Sequence, residues 1–237
     1  MRTISTSPPS SNNERPTAEL IGGARALMST RADGDLRPPE GDSPAADAAR
    51  RQILDRSWTL VRQVHGNRVE VIEQPAGVLE VEADAIVTSS PEVAIAVLGA
   101  DCPLVALSSD EGVIGAVHAG WRGLVAGVLP AATAAMRRLG ATQIRGVASP
   151  FIRQEDYGFS EPELALVANE LGEAVRGRDR AGKPALDLEV TLGRALVRAG
   201  ATLQGLLGPS TADERFFSER VRADHGRHAL VIWREKT

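Results

Sequence analysis

Between residues 58 and 118 the chain carries six short, β-branched segments separated by turn residues. They are WTLVRQV (58–64), RVEVI (68–72), ADAIVT (83–88), VAIAVLG (93–99), PLVALS (103–108) and VIGAVH (113–118). Segments of this length and composition read as strands. Their connections are too short for the helical crossovers that an all-parallel sheet requires, so the sheet is antiparallel or mixed. The run SSDEG (108–112) reads as the tight hairpin between the last two.

Beyond His118 the period changes. Leu124, Val125, Val128, Leu129, Ala132 and Met136 recur at three- and four-residue steps and predict one helix over 121–139. A strand follows at IRGVAS (144–149), then helices over 161–176 and 188–199, a strand near 202–207 and a closing strand, HALVIW (228–233). Upstream, PAADAARRQILD predicts a helix with Pro44 in its first turn and Asp42 or Ser43 as cap. RADGDLRPPEGDSP (31–44) reads as loop, and the Ser/Pro/Asn-rich residues 1–18 as a disordered tail. Residues 19–237 then form one domain of α+β class, a sandwich of strands and helices.

Composition narrows the function classes. An apolar content of 43% supports a folded core. The net charge of −4 gives no general attraction to nucleic acid or to an anionic membrane. Aromatic residues make up 3%, too few for base-stacking platforms. The single cysteine cannot form an internal disulfide, which fits a reducing cytoplasm. No apolar run reaches the roughly 18 residues of a membrane span, and the N-terminus lacks the apolar core of a secretory signal. The expectation is a cytoplasmic enzyme acting on small molecules, a monomer or a weak homodimer.

The chemistry-bearing residues cluster at strand ends. His65 closes the first strand in QVHGNRV, Cys102 follows the fourth in ADCP, and His118 ends the sixth, ahead of AGWRG. That spacing is unlike a compact structural zinc site; three ligands from separated strand ends suit a catalytic zinc with an open position. Thiolate and imidazole are ligands that zinc and copper favour. Zn²⁺ would lower the pKa of a bound water to about 7. A cysteine beside apolar residues is also ordinary core, and a Cys nucleophile with a His base would use the same residues without metal. Asp101, next to the thiol, is a candidate catalytic residue that orients a ligand histidine or carries a proton. Arg122, in the glycine turn GWRG, is a candidate catalytic residue for holding a phosphate or carboxylate. Arg31, Gln63, Tyr157, Arg220 and Arg227 complete the candidates for substrate or phosphate binding.

Taken together, QVHGNRV, ADAIVT, GADCPLVALSSDEGVIGAVHAGWRG and FFSERVRADHGRHALVIW resemble the YfiH/laccase-domain family. Its members have been called multicopper polyphenol oxidases, peptidoglycan editing factors and purine nucleoside phosphorylases. The resemblance implies a four-layer αββα sandwich with mixed sheets and a zinc ion on His65, Cys102 and His118. It also implies phosphorolysis of adenosine, inosine and methylthioadenosine, with deamination of adenosine. Copper fits less well, because four histidines are too few for a multicopper cluster. The segment ASPFIRQEDYGFS (148–160) departs from the family pattern. Tyr157 survives there, but the loop cysteines are gone and Gly158 replaces an acid. RADG and GPST likewise replace an Arg-Gly-Gly turn and a Cys-Thr pair. Two alternatives follow: an amidase or other hydrolase that edits peptidoglycan precursors, or a metal-binding relative with a decayed pocket.

Overall fold

The computed structural model describes residues 14–38 and 42–235. In chain order its strands are β1 (Thr17–Glu19), β2 (Ala24–Met28), β3 (Trp58–Arg62), β4 (Val69–Val71), β5 (Val78–Glu82), β6 (Ala85–Thr88) and β7 (Ala94–Gly99). They continue with β8 (Leu104–Ser108), β9 (Ile114–His118), β10 (Ile144–Ala148), β11 (Arg176–Arg178), β12 (Pro184–Leu186), β13 (Ala201–Leu206) and β14 (His228–Arg234). The α-helices are α1 (Pro44–Ile53), α2 (Trp121–Ala126), α3 (Val128–Arg138), α4 (Glu161–Leu171), α5 (Leu188–Ala199) and α6 (Glu219–Arg222).

Two six-stranded mixed sheets stack face to face, in the orders β1-β2-β14-β7-β3-β5 and β13-β10-β8-β9-β6-β4. Side-chain alternation explains the layering. In β6, Ile86 points into the core between the sheets, while Ala85 and Val87 point into the helical layer. In β8, Leu104 and Ala106 do the former and Val105 and Leu107 the latter. These strands are buried on both faces, so they read as unbroken apolar runs. Leu129 and Met136 of α3, Leu164 of α4 and Leu192 and Leu196 of α5 cover the outer face of the second sheet. On the far side, Ile53 of α1 and Leu54 pack on Trp58, Leu60 and Val231 of the first sheet. The order is helix, sheet, sheet, helix: the expected αββα sandwich in one domain.

The chain alternates between sheets from β3 to β8, so the three strand ends that carry His65, Cys102 and His118 converge at one end of the sandwich. Several local expectations are corrected. The single helix over 121–139 is two, because Gly127 takes a left-handed conformation (φ 85°) between α2 and α3. The helix over 161–176 stops at Leu171, where Gly172 (φ 90°) turns the chain toward the small β11–β12 hairpin. Strands β1, β2, β5, β11 and β12 were not expected, and β1 moves the start of ordered structure ahead of residue 19. The rest of the expected tail, residues 1–13, lies outside the described residues. Ser43, rather than Asp42, caps α1 by accepting from the Ala46 amide. Among the described residues no helix is long and apolar enough to cross a membrane.

Candidate metal centre and its cleft

His65, Cys102 and His118 meet where the two sheets open. One ligand-capable atom from each lies within 4.8 Å of the others, and this is the one such group among the described residues. The two imidazoles stand edge to face with centroids 4.7 Å apart. His118 is buried, Cys102 is half-buried and His65 is exposed, so the group is closed on its protein side and open toward solvent.

The electrostatics favour the ligand forms. Burial alone would raise the Cys102 thiol, but hydrogen bonds from His118 and His65 and their charges overcome it and hold the thiol near about 6. Burial alone would lower His118, but Asp84 and Cys102 hold its proton and push it up to about 9. The two shifts describe one coupled pair: a thiolate held against an imidazolium. A soft cation taking the place of those protons would find a thiolate and two imidazoles already assembled, and this donor set fits zinc.

The backbone around the cluster is strained. Among the described residues three non-glycine residues have positive φ: His65 (60°), Asp101 (77°) and Ala223 (54°). The first two are the first ligand and the neighbour of the second. Gly120 is required for space: a Cβ there would stand 2.9 Å from the His65 ring and 3.1 Å from Cys102 Sγ.

The cluster lines a cleft of about 860 Å³. Val61, Leu79 and Leu98 contribute apolar lining, and Trp121, Arg122, Tyr157, Glu219, Arg220 and Arg227 line it as well. Arg220 stacks over the Tyr157 ring (5.0 Å to its centroid), and its nearest acceptor is the Gly158 carbonyl at 3.4 Å, with no carboxylate ion pair among the described residues. Arg122 lies over Trp121 (4.2 Å to the ring centroid) and reaches Glu163 at 3.4 Å from an exposed position. Arg227 is neutralised by Glu219 at 2.6 Å. The Tyr157 hydroxyl is held well above its ordinary range by burial and by the nearby Cys102 charge, so the phenol stays neutral. The altered loop still delivers Tyr157 to the cleft, because Phe151, Ile152 and Phe159 anchor it in the core beneath the helices.

Two of the expected binding residues have other jobs. Arg31 does not line the cleft; it pairs with Asp224 and stacks on Phe217. Gln63 lines the cleft, but its side-chain amide is engaged by the backbone of Leu98, donating to the carbonyl at 2.7 Å and accepting from the amide at 2.8 Å. It extends the pairing of β3 with β7 where the strand itself has turned away. Asp101 lines the cleft, but its carboxylate is occupied. It accepts from Thr211 Oγ1 (2.6 Å), Ser218 Oγ (2.6 Å) and the Arg220 amide (2.8 Å). That fits a residue positioning the arginine-bearing segment better than one exchanging protons with a substrate. Thr211 is the retained half of the altered GPST segment. Glu219, Trp121 and the apolar lining residues were not among the sequence candidates, and neither was Asp84.

A mixed-sheet αββα sandwich with a His-Cys-His cluster lining a cleft defines the class: an α+β protein whose strand ends bring together three residues that could hold a metal ion. The chain belongs to the family described as multi-copper polyphenol oxidoreductase laccase, whose profile matches residues 34–235. Similar sequences include a purine nucleoside phosphorylase of Mycobacterium tuberculosis, 34% identical over 89% of this chain and 92% of the relative. Another, from Streptomyces coelicolor, is 36% identical over 81% of this chain and 84% of the relative. Among solved structures, the Bacillus licheniformis hypothetical protein YfiH aligns with a TM-score of 0.78 at 21% identity, covering 94% of this chain and 97% of that one. The Neisseria meningitidis protein NMB0706 aligns at 0.75 and 25%, covering 92% and 97%. At these identities the structural likeness speaks for the fold.

Proposed function

We propose that this protein is a zinc-dependent purine nucleoside phosphorylase that also deaminates adenosine, acting on adenosine, inosine and methylthioadenosine. The observation that carries the reading is the placement of the His65–Cys102–His118 cluster in one cleft with Arg220, a guanidinium paired to no carboxylate among the described residues. The names of the relatives support the substrate class. Copper oxidation is less well supported: the chain has four histidines, and only two of them join the cluster.

His65, Cys102 and His118 would hold the metal, which supplies Lewis-acid polarisation when bound. Arg220, with Arg122 in the same cleft, binds the phosphate and offsets its charge. The apolar lining of Val61, Leu79 and Leu98 accepts the flat apolar face of the purine. In phosphorolysis a phosphate oxygen bonds to the ribose C1′ and the glycosidic C–N bond breaks. The base leaves with the proton that the phosphate gives up. Asp101 contributes by holding the Arg220 backbone rather than by moving that proton.

Metal analysis of purified protein, together with incubation of adenosine and inosine with phosphate, tests the reading. The expected result is about one zinc per chain and release of free base with ribose 1-phosphate. Equal turnover by wild type and Cys102→Ala would overturn the zinc dependence. Intact nucleosides alongside cleavage of a muramyl-serine precursor would move the assignment to an editing hydrolase.

A further inference from the structure

Asp84 is fully buried at the start of β6, and one carboxylate there satisfies four donors. Oδ2 accepts from the Val64 amide at 3.1 Å and the Gly66 amide at 2.7 Å. Oδ1 accepts from the His65 amide at 2.9 Å and from His118 Nδ1 at 2.8 Å. The backbone repeats the link, since the His118 amide donates to the Asp84 carbonyl at 2.8 Å. A buried carboxylate is costly unless its oxygens are satisfied, and here every donor that satisfies it belongs to the loop of one histidine or to the ring of the other.

We infer that Asp84 is the positioning residue that builds the metal centre, acting on both histidines at once. Its first effect is on the ring of His118. An acceptor on Nδ1 fixes the neutral imidazole as the Nδ1–H tautomer and leaves the Nε2 lone pair for the cluster. Its second effect is on the backbone of His65. Three consecutive amides converging on one carboxylate form an anion-binding nest, and that nest holds His65 at a φ of 60°. A non-glycine residue held in that region carries strain that its surroundings must balance. Asp84 is therefore the common support of two ligands that lie far apart in sequence, one exposed and one buried. Asp101, adjacent to Cys102, is turned away from both histidines and onto the 211–220 segment, so the orienting role falls to Asp84.

The inference rests on the metal reading of the cluster, but one of its tests does not. In the metal-free wild type, at a pH above the value of about 9 to which the His118 ring is pushed, nitrogen-15 NMR of the histidine rings should show that neutral His118 carries its proton on Nδ1. A neutral His118 protonated on Nε2 would overturn the proposal, whatever the protein binds. The second test compares the zinc affinities of Asp84→Asn and wild type by chelator competition. About a 10- to 100-fold loss is expected from removing the carboxylate behind a ligand histidine. Leu129→Ala, which empties a buried α3 position in the helical-layer core, serves as the control: it should lower the melting temperature and leave zinc affinity as in the wild type. An Asp84→Asn protein that folds and binds zinc as tightly as wild type would refute the proposal. If Asp84→Asn does not fold, the tautomer measurement decides. A wild type that binds no zinc at all defeats the phosphorylase reading, while the tautomer result still stands or falls by itself.

Discussion

Gly120→Ala adds a single methyl group at the most crowded point of the site. The new carbon would sit 2.9 Å from His65 Cδ2 and 3.1 Å from Cys102 Sγ. Ordinary carbon contacts lie near 3.5–4.0 Å, so at least one of the two ligands must move by about half an ångström or more. Gly120 has φ −60° and ψ 155°, which alanine adopts freely, so the backbone itself adds no strain. Overpacking of this kind costs about 1–3 kcal/mol, and here it falls on ligand geometry. Taken at its lower and middle range, that is about a 5- to 30-fold weakening of zinc binding at 1.4 kcal/mol per decade. The assay is chelator competition on the purified variant, with the metal-free melting temperature measured in parallel. The expected result is a clear affinity loss with a smaller change in metal-free stability, because the exposed His65 ring can swing outward when no metal holds it. Wild-type zinc affinity in a correctly folded Gly120→Ala protein would refute the claim that the three side chains converge on one ion beside Gly120.

Three further outcomes test the other parts of the cleft. Arg220→Met should raise the KM for phosphate about 10- to 100-fold, the value of a lost charge-assisted contact, while Arg31→Met, outside the cleft, should leave it unchanged in steady-state kinetics. Asp101→Asn replaces one of the oxygens that receive Thr211, Ser218 and the Arg220 amide, so phosphate KM should rise while zinc content, read by elemental analysis, stays near wild type. His228 is fully buried with neither ring nitrogen hydrogen-bonded among the described residues, and burial lowers its pKa to about 3. A base whose folded pKa is depressed makes the protein lose stability as pH falls, because the unfolded chain takes up a proton near 6.5 and the folded chain does not. The loss from pH 6.5 to 4.5 is about 2 kcal/mol from this residue, and His228→Leu should flatten that part of the denaturation profile measured in urea; an unchanged slope would refute it.

The strand content and the helical outer layer were legible because each rests on a local pattern. Runs such as VAIAVLG and PLVALS are apolar on both faces, and α5 shows a clear helical period. What was not legible was the partition of those strands between two sheets, which depends on pairings far apart in sequence. The edge strand β5 was missed because its solvent-facing glutamates break the apolar run. Gly127 broke a helix whose apolar period continues across it, a backbone choice the period does not report. In the site, the cysteine and two histidines were legible by residue type and by their positions at strand ends. Arg31 was misplaced, and Gln63 lines the cleft with its amide already engaged, because an arginine or glutamine near a motif carries no mark of what it pairs with.

Asp84 and Asp101 show why sequence ranks carboxylates poorly. Asp101 adjoins a ligand and so looks like its partner, yet a φ of 77° turns its chain, and the carboxylate serves a segment more than a hundred residues away. Asp84 stands just ahead of the apolar strand β6, where the sequence gives no mark of a partner, and it receives both histidines. Each of these acids meets one of the strained, left-handed stretches: Asp84 receives the amides around His65, and Asp101 holds the start of α6, which Ala223 ends. The site's geometry is thus set by two carboxylates, each collecting donors that adjacent strand and loop ends cannot satisfy. Replacing either one should alter binding at the cleft more than it alters the core between the sheets, because the donors it releases lie in the loops that carry ligands and arginines.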